Sequence, residues 1–496
     1  TQHRAMTNNR IHTMQLNNPA LFRQQAYING TWLDADSKAT MEVTNPANGE
    51  VIGSIPDLTG VETARAIEAA RVAMISWRKQ TAKQRAAIMR VWFDLIMANQ
   101  DDLGKIMTLE QGKPLAEAKG EIGYAASFID WFAEEGKRIY GDIIPTHKAD
   151  ARIVVTKEPI GVVAAITPWN FPTAMITRKC GPALAAGCGF VVRPASETPF
   201  SALALAVLAE EAGIPAGLFN VITGQSRPIG AELTSNPTVR KLTFTGSTPV
   251  GKLLMQQCAP TLKKVSLELG GNAPFIVFDD ADLDSAVAGA VAGKYRNAGQ
   301  TCVCVNRFIV QEGVYDAFVA KFAEKVAQLQ VGNGMDEGVT QGPMINQGAI
   351  DKVKDHIEDA LSKGGKLICG GQSHTLGGSF FTPTIIGNAT TDMKMATEET
   401  FGPVAPIFKF KDEAQAIAMA NDTEFGLAAY FYTRDIGRVW RVGEGLEYGM
   451  VGINEGIIST EVAPFGGVKE SGMGREGSHY GIEDFLEIKY MLMGGL

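Results

Sequence analysis

The sequence is poor in cysteine and histidine, the residues that build disulfide frameworks and metal centres. It contains six of each in 496 residues. The cysteines lack the regular spacing of a disulfide scaffold, which indicates a reducing compartment, and we expect the cytoplasm. The histidines form neither the HxH nor the HExxH pattern that binds zinc or iron, so we expect no metal.

Long apolar runs and a surplus of positive charge are also missing. No run reaches the roughly 18 apolar residues expected of a membrane helix. The formal net charge is -8, and no basic cluster with interleaved aromatic residues offsets it. We therefore expect binding neither to nucleic acid nor to a membrane.

The chain is long and has a globular composition, with 45% hydrophobic and 20% charged residues. Because 496 residues exceed one ordinary core, we expect two or more domains. Residues 1–20 contain arginines but no acidic residue and no amphipathic stripe. We expect them to form a flexible extension.

The middle of the sequence alternates between apolar runs and helix-forming stretches. Short apolar runs stand at 162–166, 190–192, 219–222 and 242–244, with Ala- and Leu-rich segments between them. Before them, the capping box TGVE at 59–62 predicts the start of a long helix. Continuous apolar strands joined by helices predict a parallel sheet of the dinucleotide-binding type, with ligands beyond the carboxyl ends of its strands.

Polar and glycine residues follow these predicted strands. Gly246 and Ser247 begin a glycine-containing turn that is either structural or a phosphate site, because backbone N–H groups at a helix start can hold a pyrophosphate. Arg193 and Ser196 follow another strand. They could accept a ribose 2′-phosphate, although a strand-end arginine on the surface is the simpler interpretation.

Five further residues are candidates for chemistry or substrate binding. Cys302 lies on a predicted turn entering a strand, as a nucleophile requires, although free cysteines are more often buried hydrophobes. Glu268 is flanked by leucines, so burial should raise its pKa toward that of a general base, unless it is a paired structural carboxylate. Asn170 is a turn former or an oxyanion donor. Arg178 and Arg296 form a carboxylate clamp or ordinary ion pairs.

Taken together, these residues resemble the aldehyde dehydrogenase superfamily. Six motifs occur in its typical order: TPWNFP at 167–172, FTGS at 244–247, LELGG at 267–271, GQTC at 299–302, ETFGP at 399–403 and PFGG at 464–467. Within the superfamily the chain is most similar to the succinate-semialdehyde dehydrogenases, through MITRK at 175–179, RNAGQTCVC at 296–304, GIIS at 456–459 and GREG at 474–477. The similarity extends from about residue 21 to residue 496.

The resemblance implies an α/β fold of three parts. These are a Rossmann-type cofactor-binding domain at 21–140 and 160–268, an α/β catalytic domain at 269–478, and a small β oligomerisation element at 141–159 and 479–496. It also implies a homodimer or a homotetramer.

The resemblance assigns roles to individual residues. Cys302 would be the thiolate nucleophile, Asn170 the side chain that stabilises the oxyanion, and Glu268 the base for thioester hydrolysis. Residues implied in cofactor binding are Thr167, Pro168, Trp169, Gly246, Ser247, Glu399, which would bind the nicotinamide ribose, and Phe401, which would pack beside the ring.

The implied substrate is a small aldehyde with a distal carboxylate. In succinate-semialdehyde dehydrogenases two arginines and a serine bind that carboxylate, and they match Arg178, Arg296 and Ser459 here. Glutarate semialdehyde is the alternative substrate, because one methylene discriminates weakly.

Two positions bear on the cofactor and on regulation. NAD-preferring relatives commonly have glutamate where Ser196 stands, so we expect NADP to be preferred over NAD, although Arg193 replaces the usual lysine. Cys302 and Cys304 have the Cys-x-Cys spacing that some relatives oxidise as a switch. A passive buried thiol is the alternative for Cys304, because so short a loop strains disulfide geometry.

Overall fold

The computed structural model describes residues 14–496 of the chain. The first elements are β1 (Ala26–Ile28), β2 (Thr31–Leu33), β3 (Thr40–Thr44), β4 (Val51–Pro56), α1 (Gly60–Trp77), α2 (Ala82–Ala98), α3 (Gln100–Gln111) and α4 (Leu115–Glu135). The predicted capping box opens α1: the Thr59 hydroxyl accepts from the backbone, and the Thr59 amide donates to Glu62 at 2.9 Å. This pair satisfies N–H groups that the first turn of a helix leaves open.

Strands and helices alternate in the next part of the chain, as the apolar runs predicted. They are β5 (Asp142–Ile144), β6 (Ala151–Pro159), β7 (Val162–Ile166), α5 (Ala174–Ala186), β8 (Gly189–Arg193), α6 (Pro199–Glu211), β9 (Phe219–Val221), α7 (Ser226–Ser235), β10 (Val239–Thr245), α8 (Thr248–Cys258) and β11 (Lys264–Glu268). Strands β7, β8 and β10 are almost wholly buried because helices cover both faces of the sheet.

The remaining elements build a second α/β unit and the C-terminal strands. They are β12 (Ala273–Val277), α9 (Leu283–Tyr295), β13 (Val305–Gln311), α10 (Tyr315–Val326), α11 (Gln347–Ser362), β14 (Lys366–Cys369), β15 (Thr384–Gly387), α12 (Lys394–Thr397), β16 (Val404–Phe410), α13 (Glu413–Asn421), β17 (Ala428–Tyr432), α14 (Ile436–Gly445), β18 (Met450–Ile453), β19 (Gly472–Met473) and β20 (Leu486–Gly494). Short 3₁₀ helices lie at Pro19–Leu21, Gly136–Arg138, Ala259–Thr261, Arg296–Gly299, Lys469–Ser471 and Tyr480–Phe485.

Two large sheets organise these elements. The first has the strand order β19-β11-β10-β7-β8-β9-β1-β2, and β7 to β11 pair in parallel. The second has the order β14-β15-β16-β13-β12-β17-β18 and is parallel except for β14. The predicted α/β fold with a dinucleotide-binding type of sheet is confirmed. Strand β19, within the predicted catalytic domain at 269–478, pairs with β11 of the first sheet.

A third, antiparallel sheet joins segments far apart in sequence. Strand β20 pairs along its full length with β6, from Leu486 opposite Pro159 to Gly494 opposite Ala151, and β5 pairs with the other edge of β6. Apolar residues of β20 remain in solvent, with Ile488 70% and Tyr490 58% exposed. An apolar edge strand of this kind favours contact with another chain.

The beginning of the described chain packs on α3. The backbone amides of Asn17 and Asn18 donate to the Asp102 carboxylate at 3.1 and 2.7 Å. Asn17 and Asn18, which belong to the predicted flexible extension at 1–20, are therefore hydrogen-bonded to a buried carboxylate, and the flexibility of the extension stays a prediction. Residues 1–13 lie outside the described residues. No helix within 14–496 combines the length and apolar character needed to cross a membrane.

Candidate active site

A cavity of about 260 Å³ lies where the carboxyl ends of β7, β10 and β11 meet the loop before β13. Its lining residues come from these four places, from the first turn of α5 and from the loop after α12: Pro168, Trp169, Asn170, Phe171, Met175, Thr245, Gly246, Ser247, Leu269, Gly270, Cys302, Glu399 and Phe401. The structure therefore brings together the predicted nucleophile, the predicted oxyanion donor and most of the predicted cofactor residues. Thr167 is buried outside this lining, where its amide donates to the Arg193 carbonyl at 3.2 Å.

Cys302 is held by an unusually wound loop. Asn297, Ala298 and Gly299 have successive φ values of 51°, 55° and 74°, a left-handed conformation that costs energy in residues other than glycine. A Cβ on Gly299 would lie 2.1 Å from the Gly402 carbonyl oxygen, so the close approach of the two backbones leaves no room for a side chain at position 299. This winding leaves Cys302 partly exposed at the cavity.

The Cys302 thiol needs help to ionise. Burial raises its pKa to about 12, and the positive charge of Arg178 only partly opposes that effect. Because the thiolate is the nucleophilic form, attack at neutral pH requires the thiol to lose its proton first.

Glu268 is a buried carboxylate whose charge acts on the Cys302 thiol, although it lies outside the residues that line the cavity. It is the last residue of β11, opposite Thr245, and is 2% exposed. Burial, followed by the charge of Glu476, raises its pKa well above the ordinary value. Within the described chain neither carboxylate oxygen has a hydrogen-bond partner. A desolvated, unpartnered carboxylate with a raised pKa fits a general base rather than a paired structural acid.

A buried charge cluster surrounds Glu268, and its central member, Glu476, was not among the predicted site residues. Glu476 accepts from Arg178 Nε at 2.7 Å and from Lys179 Nζ, which also donates to the Thr245 hydroxyl at 2.6 Å. Burial alone would raise the pKa of Glu476, but Lys179 and Arg178 outweigh burial, and its pKa lies below the ordinary value. The motif at 474–477 was visible in the sequence, but no spacing reveals that it faces residues almost 300 positions earlier.

The three residues predicted to bind the substrate carboxylate differ in their surroundings. Arg178 is 2% exposed and its guanidinium pairs with Glu476, and its role in binding the substrate carboxylate stays a prediction. Arg296 is partly exposed, and its guanidinium lies 5.4 Å from the centre of the Phe171 ring and makes no ion pair or hydrogen bond within residues 14–496. Ser459 is partly exposed in the loop after β18. All three lie outside the lining of the cavity at Cys302.

Asn170, in the segment after β7, is hydrogen-bonded to the loop that carries Cys302. Its side-chain Nδ2 donates to the carbonyl of Gln300, two residues before Cys302, at 3.1 Å. The side chain is 6% exposed, and an amide nitrogen carries two hydrogens, so one remains for a ligand in the cavity. This geometry supports the predicted oxyanion role.

The sequence model of the aldehyde dehydrogenase family matches residues 32–491. The chain belongs to the aldehyde dehydrogenase family. It is 67% identical over 481 residues to the NADP(+) succinate-semialdehyde dehydrogenase of Escherichia coli, covering 97% of this chain and 100% of the relative. It is 66% identical to the glutarate-semialdehyde dehydrogenase of Pseudomonas aeruginosa, covering 97% and 100%. A solved succinate-semialdehyde dehydrogenase from Burkholderia pseudomallei superposes with a TM-score of 0.96 at 65% identity, covering 97% of this chain and 99% of that structure.

The nicotinamide end of a cofactor fits the main cavity of this aldehyde dehydrogenase. Trp169 and Phe401 meet edge to face with ring centres 5.7 Å apart. Glu399 accepts from the Gly271 amide at 3.0 Å, and burial raises its pKa to about 7. A Cβ on Gly246 would lie 2.4 Å from the Phe244 ring, so the turn before α8 is compact and its backbone stays accessible.

The adenosine end fits a second cavity at the end of β8. Arg193 is 9% exposed, so the surface interpretation is wrong: its Nη2 donates to Ser196 Oγ at 2.7 Å and to the Gly224 carbonyl at 2.8 Å. The cavity measures about 470 Å³ and is lined by Met41, Arg193, Ser196, Glu197, Gln225, Ser226 and Arg227. Two arginines and two serines make it suitable for a phosphate group.

Cys304 of this aldehyde dehydrogenase faces away from solvent. It is 2% exposed, burial raises its pKa, and its Sγ donates to the Lys294 carbonyl at 3.3 Å. These contacts support the passive packing alternative. The redox pairing with Cys302 remains a prediction.

Proposed function

We propose that this enzyme oxidises succinate semialdehyde to succinate with NADP. The observation that carries the proposal is the meeting of Cys302 and Asn170 in one cavity, beside the unpartnered Glu268 carboxylate. Relatives named for succinate semialdehyde and NADP support the substrate and the cofactor. Glutarate semialdehyde is the second substrate candidate, supported by a relative of nearly equal identity.

Residues of this chain account for the attack on the aldehyde, the stabilisation of the oxyanion and the hydrolysis of the thioester. Cys302, as thiolate, attacks the aldehyde carbon, and the Asn170 amide and the Cys302 backbone N–H stabilise the oxyanion. A bound NADP supplies the hydride acceptor, held by Arg193 and Ser196 at one end and by Glu399 and neighbouring residues at the other. Glu268 then takes a proton from the water that hydrolyses the Cys302 thioester, which releases the carboxylic acid and restores the thiol.

Substrate selection is assigned to Arg296 first, and Ser459, in the loop after β18, is the second candidate. Arg178 contributes a buried positive charge that is shared with Glu476. The Arg296 guanidinium makes no ion pair in the described chain, so a substrate carboxylate can take that place. A charge-assisted contact of this kind contributes about 1.5 to 3 kcal/mol. Aldehydes without a carboxylate would leave it unpaired, which adds to selectivity.

Reduced-cofactor absorbance, measured with NADP and a panel of aldehydes, tests the proposal. We expect the highest kcat/KM with succinate semialdehyde, and glutarate semialdehyde close behind. Arg296→Leu should lower kcat/KM for both by about 10- to 150-fold, the equivalent of the lost contact, and should leave butyraldehyde nearly unchanged. The kcat/KM of Arg296→Lys, which keeps the charge, should lie between those of the wild type and Arg296→Leu. Equal losses for charged and neutral aldehydes would contradict this assignment.

The choice of cofactor rests on Ser196. Ser196→Glu places a carboxylate beside Arg193, where it repels a 2′-phosphate and accepts from a ribose hydroxyl. We expect the ratio of kcat/KM for NADP to that for NAD to fall by at least about tenfold. Ser196→Ala is the matched control, because it removes the hydroxyl that accepts from Arg193 without adding a negative charge, and it should change the ratio by only a few fold. An unchanged ratio in Ser196→Glu would refute the preference for NADP.

The proposal includes a cytoplasmic enzyme that assembles as a homodimer or homotetramer. The six free cysteines support a reducing compartment. The exposed apolar residues of β20 support assembly through the small antiparallel sheet.

A further inference from the structure

A buried ion pair lies beneath the loop that carries Asn170. Lys113, in the turn between α3 and α4, contacts Glu121 of α4 with Nζ and Oε2 2.6 Å apart, and each side chain is 1% exposed. Removing two charges from water is costly, and replacing such a pair by apolar side chains is often neutral for stability. Fold stability alone therefore does not explain this pair, and its other contacts indicate a further role.

The two partners hold opposite ends of one short segment. Lys113 Nζ donates to the main-chain carbonyl of Asn170 at 2.8 Å. The second oxygen of Glu121 accepts from the amides of Thr173 and Ala174 at 3.0 and 3.2 Å. The segment 170–174, which links β7 to α5, is thus fastened at both ends to a single buried pair.

The same carbonyl also joins the nucleophile loop. Asn297 Nδ2 donates to the Asn170 carbonyl at 3.0 Å, and the Asn170 side chain donates back to Gln300. Lys113 Nζ also lies 3.9 Å from the centre of the Phe171 ring, a cavity residue. Moving the Asn170 main chain would therefore misdirect its amide relative to Cys302 without touching Cys302 itself.

We propose that Lys113, working with Glu121, is a positioning residue that aims the Asn170 amide at the oxyanion formed on Cys302. This inference depends on the oxyanion role given to Asn170 in the proposed function. Displacing a catalytic group by about 1 Å costs on the order of 100-fold in rate, so a residue that acts only through the Asn170 main chain can have a large effect.

Lys113→Met tests the inference, because it keeps the length of the side chain and removes the donor. We expect kcat to fall by about 10- to 100-fold, whereas KM for NADP stays within about threefold, because the cofactor residues are untouched. Lys263→Met is the matched control: Lys263 is also buried and donates to a main-chain carbonyl, that of Asn236, in a turn remote from the cavity. That variant should keep the wild-type kcat.

A double-mutant cycle with Asn170→Ala separates positioning from general damage. If Lys113 acts through Asn170, Lys113→Met should lower kcat by less than about threefold in the Asn170→Ala background. Independent, multiplying losses would overturn the inference. A Lys113→Met enzyme with the same kcat as a catalytically active wild type would also overturn the inference, but it would leave the proposed function intact. A wild type without aldehyde oxidation would overturn the proposed function itself.

Lys113→Met leaves Glu121 buried without its partner and can destabilise the fold for that reason alone. The double variant Lys113→Met/Glu121→Met removes both charges and should recover most of the lost Tm. We expect its kcat to remain low, because the Asn170 carbonyl keeps only the Asn297 donor and still lacks the contact from Lys113 Nζ. Recovery of kcat together with Tm would identify the pair as purely structural and overturn the inference.

Discussion

Cys302→Ser is expected to lower kcat for aldehyde oxidation by on the order of 1,000-fold or more. The serine hydroxyl fills nearly the same space, but it is a far weaker acid than a thiol. It would therefore stay protonated at neutral pH and attack the aldehyde carbon poorly. Among the residues lining the cavity, Cys302 is the one thiol, so no neighbour can replace it.

The control for this variant is Cys369→Ser. Cys369 is also partly buried, but it lies at the end of β14 in the second sheet and its Sγ is 3.9 Å from the Pro383 carbonyl. We expect it to keep wild-type kcat. A second measurement, covalent labelling by iodoacetamide followed by mass spectrometry, should show protection of Cys302 by substrate. If Cys302→Ser retained more than about a tenth of the wild-type kcat, the covalent mechanism would be wrong.

Glu268→Gln is expected to separate the two halves of the reaction. Without the base that activates water, steady-state kcat should fall by about 100- to 10,000-fold. Rapid mixing should still show a burst approaching one reduced cofactor per active site, because the thioester forms but is not hydrolysed. Disappearance of the burst as well would show that Glu268 is needed to ionise Cys302, rather than for hydrolysis alone.

The pH dependence of the wild-type kcat should also report on Glu268. Burial and the charge of Glu476 raise the pKa of Glu268 well above the ordinary value. A base works in its ionised form, so kcat should rise as pH increases through this raised pKa and level off above it. Glu268→Gln should abolish this limb of the profile. An unchanged limb would assign it to another group.

Much of the fold followed from local patterns in the sequence. The apolar runs at 162–166, 190–192 and 242–244 became β7, β8 and β10, because continuous apolar strands can be buried on both faces only in a parallel sheet. Asn170, after β7, could be proposed because the topology brings such positions to one edge. Glu268, at the end of β11, could be proposed because its flanking leucines predict burial.

Local sequence patterns could not predict the long-range contacts that position the site residues. Arg178, a predicted substrate-binding residue, also pairs with Glu476, nearly 300 residues later, and no sequence spacing predicts that contact. Arg193 could be a surface residue by sequence alone, but it is braced by the Gly224 carbonyl, 31 positions away. Lys113 and Glu121 are ordinary helix-forming residues in sequence. Their importance depends on which backbone atoms lie opposite them, and that is fixed only by tertiary packing.

The pairing of β20 with β6 has a consequence for how the protein is made. Strand β6 emerges from the ribosome long before its partner, with roughly 330 residues still to be synthesised, which takes on the order of 15–65 s. During that interval β6 can pair only with the three-residue strand β5, and its other edge stays open. Nascent chains on neighbouring ribosomes expose the same edge, so this interval is when mispairing between chains is most favoured and when chaperone protection has most value.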